Sequence, residues 1–154
     1  MASIFTKIIN NQIPCYKVAE NDDFIAFLDI NPNVRGHTLC IPKKEIDHYL
    51  DLDDETFKDL MYFSKKVAIA IKNVIKCKKV GLTLIGIEVP HVHVHLIPIN
   101  DISAMQFINK VRLDKTEFEK IAEEIRDSYS SLSWITIIVF IFFSEDFIKI
   151  FPSW

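Results

Sequence analysis

Three of the five histidines occupy alternate positions near the middle of the chain, at His91, His93 and His95. Side chains two residues apart on a β-strand share a face and lie about 6.6 Å apart, so this spacing predicts three imidazoles side by side. The intervening residues Val92, Val94 and Leu96 would then pack into a core. An imidazole can be neutral, nucleophilic or proton-donating near neutral pH, whereas a core gains little from rings whose two nitrogens both need partners.

Two chemical uses fit such a cluster. Clustering disfavours charging all three rings together, so at least one should stay unprotonated as a nucleophile while its neighbours donate hydrogen bonds to phosphate oxygens. A metal site built from two of the histidines is the competing hypothesis, although no carboxylate or cysteine follows at a ligand-like spacing. A solvated histidine face without function is a further alternative. Acyl transfer is not expected, because no serine or cysteine nucleophile elbow lies nearby.

The elements that would position these histidines are strands, whose apolar residues recur every second position, and amphipathic helices, whose apolar residues recur about every 3.6 positions. Period-2 apolar patterns and turn residues predict strands over residues 16–20, 24–30, 36–42, 80–87 and 91–99. Ser3 predicts an N-cap for one or two helical turns, and an amphipathic helix is expected from Asp53 to about Lys76. A capping box at Thr116 and Glu119 predicts a last helix that ends near Asp127. The fold class is therefore α+β, with an antiparallel sheet.

Composition narrows the function classes. The 154 residues are 49% hydrophobic and 25% charged, which suits one globular domain. A net charge of −3 argues against a broad nucleic-acid surface. With three glycines a Gly-rich dinucleotide loop is excluded, and Gly81 and Gly86 are followed by Ile87-Glu88 rather than the Lys-Ser/Thr of a P-loop. Three cysteines without a CxxC, and no signal-like N-terminus, predict a reducing, cytoplasmic location.

Three motifs, in order, resemble one known family. They are Phe27-Leu-Asp29-Ile-Asn-Pro, Gly36-His37-Thr-Leu-Cys-Ile-Pro-Lys43 and His91-Val-His-Val-His-Leu-Ile97, preceded by the opening Ser3-Ile-Phe-Thr-Lys-Ile-Ile-Asn-Asn-Gln-Ile-Pro14. Together they are similar to the histidine triad (HIT) superfamily, in its branch of small nucleoside phosphoramidases and dinucleoside polyphosphate hydrolases. The resemblance covers about residues 2–127 and implies a five-stranded antiparallel sheet with two helices, forming a homodimer.

The resemblance also implies a mechanism. His93 would attack the α-phosphorus of a nucleotide and form a nucleotidyl-histidine intermediate, oriented by a backbone carbonyl, plausibly that of His91. His95 and His37 would lie around the α-phosphate. Water would then release the nucleoside monophosphate, so that one displacement becomes two. Neither a metal ion nor another cofactor is expected.

Substrate-binding residues follow from the same resemblance. Asp29 would accept hydrogen bonds from the ribose hydroxyls. A purine slot is expected from Ile4, Phe5, Ile8, Ile13 and Leu39. Glu88, with Val89, would contact the substrate near the leaving group, although a surface role for Glu88 is equally open. The expected activity is hydrolysis or transfer at the α-phosphate of purine nucleoside phosphoramidates. The alternatives are a dinucleoside polyphosphate hydrolase or a nucleotide-binding module with incidental hydrolysis.

The chain departs from the family pattern just before the histidines. An Asn that many relatives carry before the last strand is missing, and Ile87 stands where Gln is usual. Those polar groups help to hold phosphate or the leaving group, so the leaving-group preference stays open.

The second departure is at the C-terminal end. We expect a HIT domain over residues 1–127, followed by an apolar extension over residues 128–154 that includes a run rich in β-branched and aromatic residues. That run has strand character and is short for a membrane helix, which needs about 20 residues. Three hypotheses remain: an altered C-terminus of little function, a segment packed on the dimer, and the less favoured membrane contact through a short tail anchor.

Overall fold

The structure is a computed structural model, and it describes the backbone of residues 3–150 and the side chains of residues 3–132. Five strands form one sheet: β1 Lys17–Glu20, β2 Phe24–Leu28, β3 Thr38–Pro42, β4 Lys79–Leu84 and β5 Val94–Ile99. Their order is β1-β2-β3-β5-β4, and every neighbouring pair is antiparallel. The predicted α+β class and the five-stranded antiparallel sheet are confirmed.

All five strands are shorter than the sequence pattern predicted, and the differences in β5 and β4 bear on the site. The prediction that a strand begins at His91 is wrong, because the backbone N–H groups of His91 and Val92 bond to Val89 and Ile46 rather than to a sheet neighbour. The extension of β4 to Ile87 is also wrong, since the strand ends at Leu84 and Gly86 turns the chain with a φ of 72°.

Three helices accompany the sheet, where the resemblance implied two. The additional one is α1, Ile4–Ile9, which was predicted as one or two helical turns and starts at the N-cap Ser3. Helix α2, Asp54–Val74, is capped by Asp53, whose Oδ1 accepts a hydrogen bond from the Thr56 N–H at 2.8 Å. Helix α3 spans Lys115–Ile150.

Both predicted ends of α3 are wrong. The capping box pairs Asp114 with Glu117, each side chain accepting the other's backbone N–H, and not Thr116 with Glu119. Aspartate is as good an N-cap as threonine, so the helix begins earlier. At the other end the helix continues through Asp127, because extending a formed helix costs little even for residues of weak helix propensity.

The first turns beyond Asp127 pack on the domain. Tyr129 and Leu132 contact the main core, and the Tyr129 ring lies 6.0 Å from that of Phe63 on α2. The side chains of residues 133–154 lie outside the described residues, so the three hypotheses for the apolar extension stay predictions. Within the described part of the chain, no helix is both long and apolar enough to cross a membrane.

The sheet separates two apolar clusters. The larger cluster lies on the face that packs against α2 and α3. The smaller cluster lies on the other face and contains Phe5 and Ile8 of α1. Alternation along the strands divides the residues between them, so that Val92, Val94 and Leu96 lie in the main core. The histidine side chains therefore project toward the face that carries α1.

Gly36 sets the turn that leads into β3. Its φ is 84°, a left-handed conformation that favours glycine, and an added Cβ would lie 2.9 Å from Ile75 Cγ1. The backbone thus passes close to the end of α2 immediately before His37.

Candidate active site

The three clustered histidines lie next to one another, as their spacing predicted. The ring centroids of His93 and His95 are 4.8 Å apart, and the Phe5 ring lies 5.8 Å from His91 and 5.2 Å from His93. Of the three, His95 lies on β5, while His91 and His93 belong to the extended segment that precedes it. The shared face therefore does not depend on one continuous strand.

One ring nitrogen of His93 makes a hydrogen bond within the protein, and the other is available to a substrate. Its Nδ1 lies 2.6 Å from the backbone carbonyl oxygen of His91. Because a carbonyl oxygen only accepts, the ring proton is on Nδ1, and the lone pair is on Nε2. The expected orienting contact is present, and it leaves Nε2 with the character of a nucleophile.

His91 faces the protein rather than a substrate. It is fully buried, its Nε2 donates to the Pro42 carbonyl oxygen at 2.8 Å, and its Nδ1 accepts from the Ser3 hydroxyl at 3.1 Å. Burial lowers the pKa of this ring. The His91 side chain therefore holds the backbone that orients His93, and its grouping with the catalytic residues stays a prediction.

His37 and His95 form a directional hydrogen-bonded pair. The backbone N–H of Asn33 donates to His37 Nδ1 at 3.1 Å, so the His37 ring proton is on Nε2. That proton is donated to His95 Nδ1 at 3.0 Å, which leaves His95 with its own proton on Nε2. Because burial removes water from both rings, it lowers the pKa of each to about 3. The pair is neutral at pH 7 and ends in an N–H donor beside His93.

Asp29 lies at the other end of this pair. Its Oδ1 accepts from the Asn31 N–H at 2.9 Å, and its Oδ2 is 3.5 Å from His37 Nδ1. The carboxylate is partly exposed and can accept further hydrogen bonds, as expected for a group that binds hydroxyls. Its predicted role toward ribose stays a prediction.

Asp29 also bears on the metal hypothesis. Among the described residues, ligand atoms of Asp29, His37 and His95 lie within 4.8 Å of one another. No carboxylate stands at a ligand-like spacing in the sequence, but the fold brings Asp29 close although it is far away along the chain. However, both His37 nitrogens already have partners, and an ion bound there would break a hydrogen bond to Asn33 or His95.

The predicted purine slot is only partly assembled. Phe5, Ile8 and Leu39 are buried in the smaller cluster, and Ile13 and Val89 pack against it. Ile4 is 45% exposed and lies outside the cluster, so its predicted contact with a purine stays a prediction. Successive residues of a helix point about 100° apart, so Ile4 turns to solvent when Phe5 and Ile8 face the sheet.

A cavity of about 400 Å³ opens beside His93 and His95. One wall is the loop of residues 85–88, which includes Glu88, and the other is formed by Met105, Gln106 and Phe107. Glu88 is the charged residue among those that line it. The cavity therefore offers room for a leaving group, but no cation along its described lining.

Sequence reasoning missed Asn33, Phe107 and Lys110. Phe107 stacks edge-on against His95, with ring centroids 4.9 Å apart, and Lys110 Nζ donates to Asn33 Oδ1 at 2.7 Å. These residues belong to irregular segments without periodicity. The only signal in the sequence was a single aromatic residue, Phe107, between the histidines and the last helix.

Comparison with known proteins gives the same fold and motifs. The model of the HIT domain matches residues 10–102. An uncharacterized HIT-like protein of Borreliella burgdorferi is 37% identical over 131 residues, which is 79% of this chain and 94% of that protein. The adenosine 5'-monophosphoramidase HNT1 of Saccharomyces cerevisiae is 36% identical over 126 residues, covering 79% of this chain and 77% of its own.

A solved structure is similar over most of its length. The hypothetical histidine triad nucleotide-binding protein of Sulfolobus tokodaii superposes with a TM-score of 0.72 at 34% identity. The match covers 83% of this chain and 92% of that one.

Proposed function

The chain belongs to the HIT domain family, and on that premise we propose that it is a nucleotide hydrolase acting on purine nucleoside phosphoramidates through a nucleotidyl-histidine intermediate. The observation that carries this proposal is the arrangement of ring protons. His93 keeps a free Nε2 beside the N–H that His95 presents. A nucleophile and a hydrogen-bond donor for a phosphoryl oxygen are thus adjacent.

The reaction has two displacements at phosphorus. In the first, His93 Nε2 forms a bond to the α-phosphorus, and the bond from phosphorus to the amine nitrogen breaks, the amine taking a proton from solvent. The Nε2–H of His95 donates to a non-bridging oxygen as charge develops. In the second, water attacks the same phosphorus, releases the nucleoside monophosphate and returns the lone pair to His93.

The cavity beside His93 favours a phosphoramidate over a dinucleoside polyphosphate. A polyphosphate leaving group carries several negative charges, and phosphate sites usually provide Arg or Lys to match them. The described lining instead carries the carboxylate of Glu88 and apolar groups of Ile85, Ile87 and Phe107. An amine leaving group is compatible with that lining. The name of the yeast relative, an adenosine 5'-monophosphoramidase, supports the same choice.

We propose that two copies of the chain associate along β4. This strand is at the edge of the sheet, where unpaired backbone groups invite a further strand. Leu82 on β4 and Ile69 on α2, which packs against β4, are each more than 40% exposed and would supply apolar surface to such a contact. A cytoplasmic location is proposed from the three free thiols of Cys15, Cys40 and Cys77.

Turnover of adenosine 5'-phosphoramidate tests the enzymatic proposal. The wild-type chain should release AMP, and His93→Ala should lower kcat by about a thousandfold or more, as removal of a nucleophile does. Lys120→Ala is the control, because Lys120 is exposed on α3 and lines neither of the cavities that His93 borders, and it should keep wild-type turnover. Retained turnover in His93→Ala would contradict the nucleophile assignment. Binding of AMP without any turnover by the wild type would favour the nucleotide-binding alternative.

Treatment with a chelator distinguishes a metal site from the nucleophilic mechanism proposed for His93. Because the hydrogen bonds of His37 occupy the nitrogens that an ion would need, activity should survive exhaustive treatment with a chelator. Activity that is lost on chelation and restored by zinc would instead assign the chemistry to Asp29, His37 and His95 as metal ligands.

A further inference from the structure

A buried amide joins two parts of the chain that are far apart in sequence. Asn33 is 5% exposed, and its Nδ2 donates to the Ala104 carbonyl oxygen at 2.8 Å, while its Oδ1 accepts from Lys110 Nζ at 2.7 Å. Its backbone N–H donates to His37 Nδ1. Asn33 therefore connects His37 with the segment of residues 102–110 that follows β5.

Phe107 is the residue of the 102–110 segment that reaches the histidines. Its ring lies 4.9 Å from His95 and 6.0 Å from His37, edge-on to both. Its φ is 60°, a conformation that a bulky side chain rarely adopts and that persists only where surrounding contacts impose it. The two bonds of the Asn33 side chain, to Ala104 and Lys110, lie on either side of Phe107 in the sequence and supply such contacts.

The charged and titratable groups around the pair are few. Four groups face His95. His93, His37 and Lys110 lower its pKa, and Asp29 raises it. Burial is the largest cause of the low pKa of both His37 and His95. A ring that covers them and a cation held nearby thus act in the same direction, toward neutral imidazoles.

We propose, on the basis of the function proposed above, that Asn33 is a positioning residue for the reaction. By holding Ala104 and Lys110, its side chain keeps Phe107 against His95 and keeps water away from the His37–His95 pair. The pair then stays neutral and correctly protonated, so that His95 presents its Nε2–H to the substrate. Asn33 acts through Phe107 and does not itself touch the reacting atoms.

Loss of the Asn33 amide should change the pKa values of His37 and His95, whereas substrate binding should change little. In Asn33→Ala, the pKa of His95 should rise from about 3 toward 6.5, because water reaches the ring. Protonated His95 and His37 cannot share their hydrogen bond, so kcat at about pH 5.5 should fall about tenfold while KM changes less than about twofold. At about pH 8 the loss should be much smaller.

A second variant changes an exposed residue, so its result does not depend on whether a substitution at a buried position folds. Lys110 is exposed, so Lys110→Met should fold normally, lose the bond to Asn33 Oδ1 and move the pH profile in the same direction. The matched controls are Asn73→Ala, which removes an exposed interhelix amide bond to Ser128, and Lys120→Met on α3. Neither control should alter the profile.

A double variant tests the route through Phe107. If Asn33 acts by placing this ring, then in the Lys110→Met background, where the direct effect of the Lys110 charge is absent, the kcat of Asn33→Ala/Phe107→Ala should equal that of Phe107→Ala. Effects that multiply would overturn the proposal, because Asn33 would then act independently of Phe107.

Histidine NMR of the full chain gives a readout that needs no turnover. Ring ¹⁵N shifts should show protonation on Nε2 for His37 and His95 in the wild type, and titration near pH 6.5 in Asn33→Ala. Unchanged ring shifts and an unchanged pH profile in folded Asn33→Ala and Lys110→Met would overturn the proposal. If the wild type proves inactive toward phosphoramidates, the enzymatic proposal fails, while the NMR result still decides the role of Asn33.

Discussion

His93 Nδ1 lies 2.6 Å from the carbonyl oxygen of His91, two residues earlier in the chain. The histidine that precedes the nucleophile thus contributes its backbone, while its ring is held at both nitrogens by Ser3 and Pro42. The orientation of His93 therefore depends on contacts made by α1 and by the end of β3.

The Ser3 hydroxyl is the first link that can be tested. In Ser3→Ala, α1 loses its N-cap and the buried Nδ1 of His91 loses its donor, so the free energy of unfolding should fall by about 2 kcal/mol. Urea denaturation measures this change. Ser3→Thr keeps the hydroxyl and should recover most of the stability, and equal losses in both variants would show that the hydroxyl is not what matters.

Acid should destabilise the protein through His37 and His95. Their pKa values are about 3 in the fold, against 6.5 for an ordinary histidine. Between these values the unfolded chain binds more protons, so the free energy of unfolding should decrease by a few kcal/mol as the pH falls from about 7 to about 4.

Urea titrations at several pH values measure that dependence. The stabilisation should be complete above about pH 6.5 and be lost progressively as the pH falls toward 3. His95→Asn should make the dependence shallower, whereas the exposed His48→Asn should leave it unchanged. A stability that is independent of pH in this window would contradict neutral burial of the pair.

The charge of the leaving-group cavity should determine substrate preference. Wild-type kcat/KM for adenosine 5'-phosphoramidate should exceed that for diadenosine tetraphosphate, and Glu88→Lys should raise the polyphosphate's relative value about fivefold, a size typical of one exposed charge. Glu123→Lys, on α3 and outside the cavity lining, is the control. A ratio unchanged by Glu88→Lys would remove Glu88 from the leaving-group site.

Exposed apolar groups on β4 and α2 should mediate self-association. Leu82→Glu places a charge on the edge strand, and sedimentation equilibrium should show a shift from dimer toward monomer relative to the wild type. Ile30→Glu changes a residue that is 71% exposed and, unlike Leu82, is not on the edge strand β4. It should leave the dimer intact, and a monomeric wild type would contradict the proposed interface.

Local patterns predicted the features that depend on neighbouring residues. Alternation of His91 to Leu96 placed the histidines and the core residues on opposite faces, and Ser3 was correctly predicted as an N-cap. The same local view misplaced the start of α3, because two overlapping capping boxes are equally good in sequence. It also ended that helix too early, since weak intrinsic propensity does not stop a helix already formed.

Features that depend on long-range contacts were not visible. Asn33 and Lys110 are 77 residues apart, and their hydrogen bond leaves no mark in either segment. The proximity of Asp29, which follows β2, to His95 likewise results from the pairing of β2 with β3 and of β3 with β5.

Covalent nucleotidylation of His93 Nε2 can be detected by intact-mass analysis of a single turnover that is quenched with denaturant at mildly alkaline pH, where a histidine–phosphorus bond survives. With a reactive adenosine phosphoramidate, the wild-type chain should show a transient mass increase of one adenylyl group. Peptide mapping under mildly basic conditions should place the group on His93, and His93→Gly should show none. A rapid turnover without any adduct, or an adduct on His95 or His37 instead, would rule out His93 as the nucleophile.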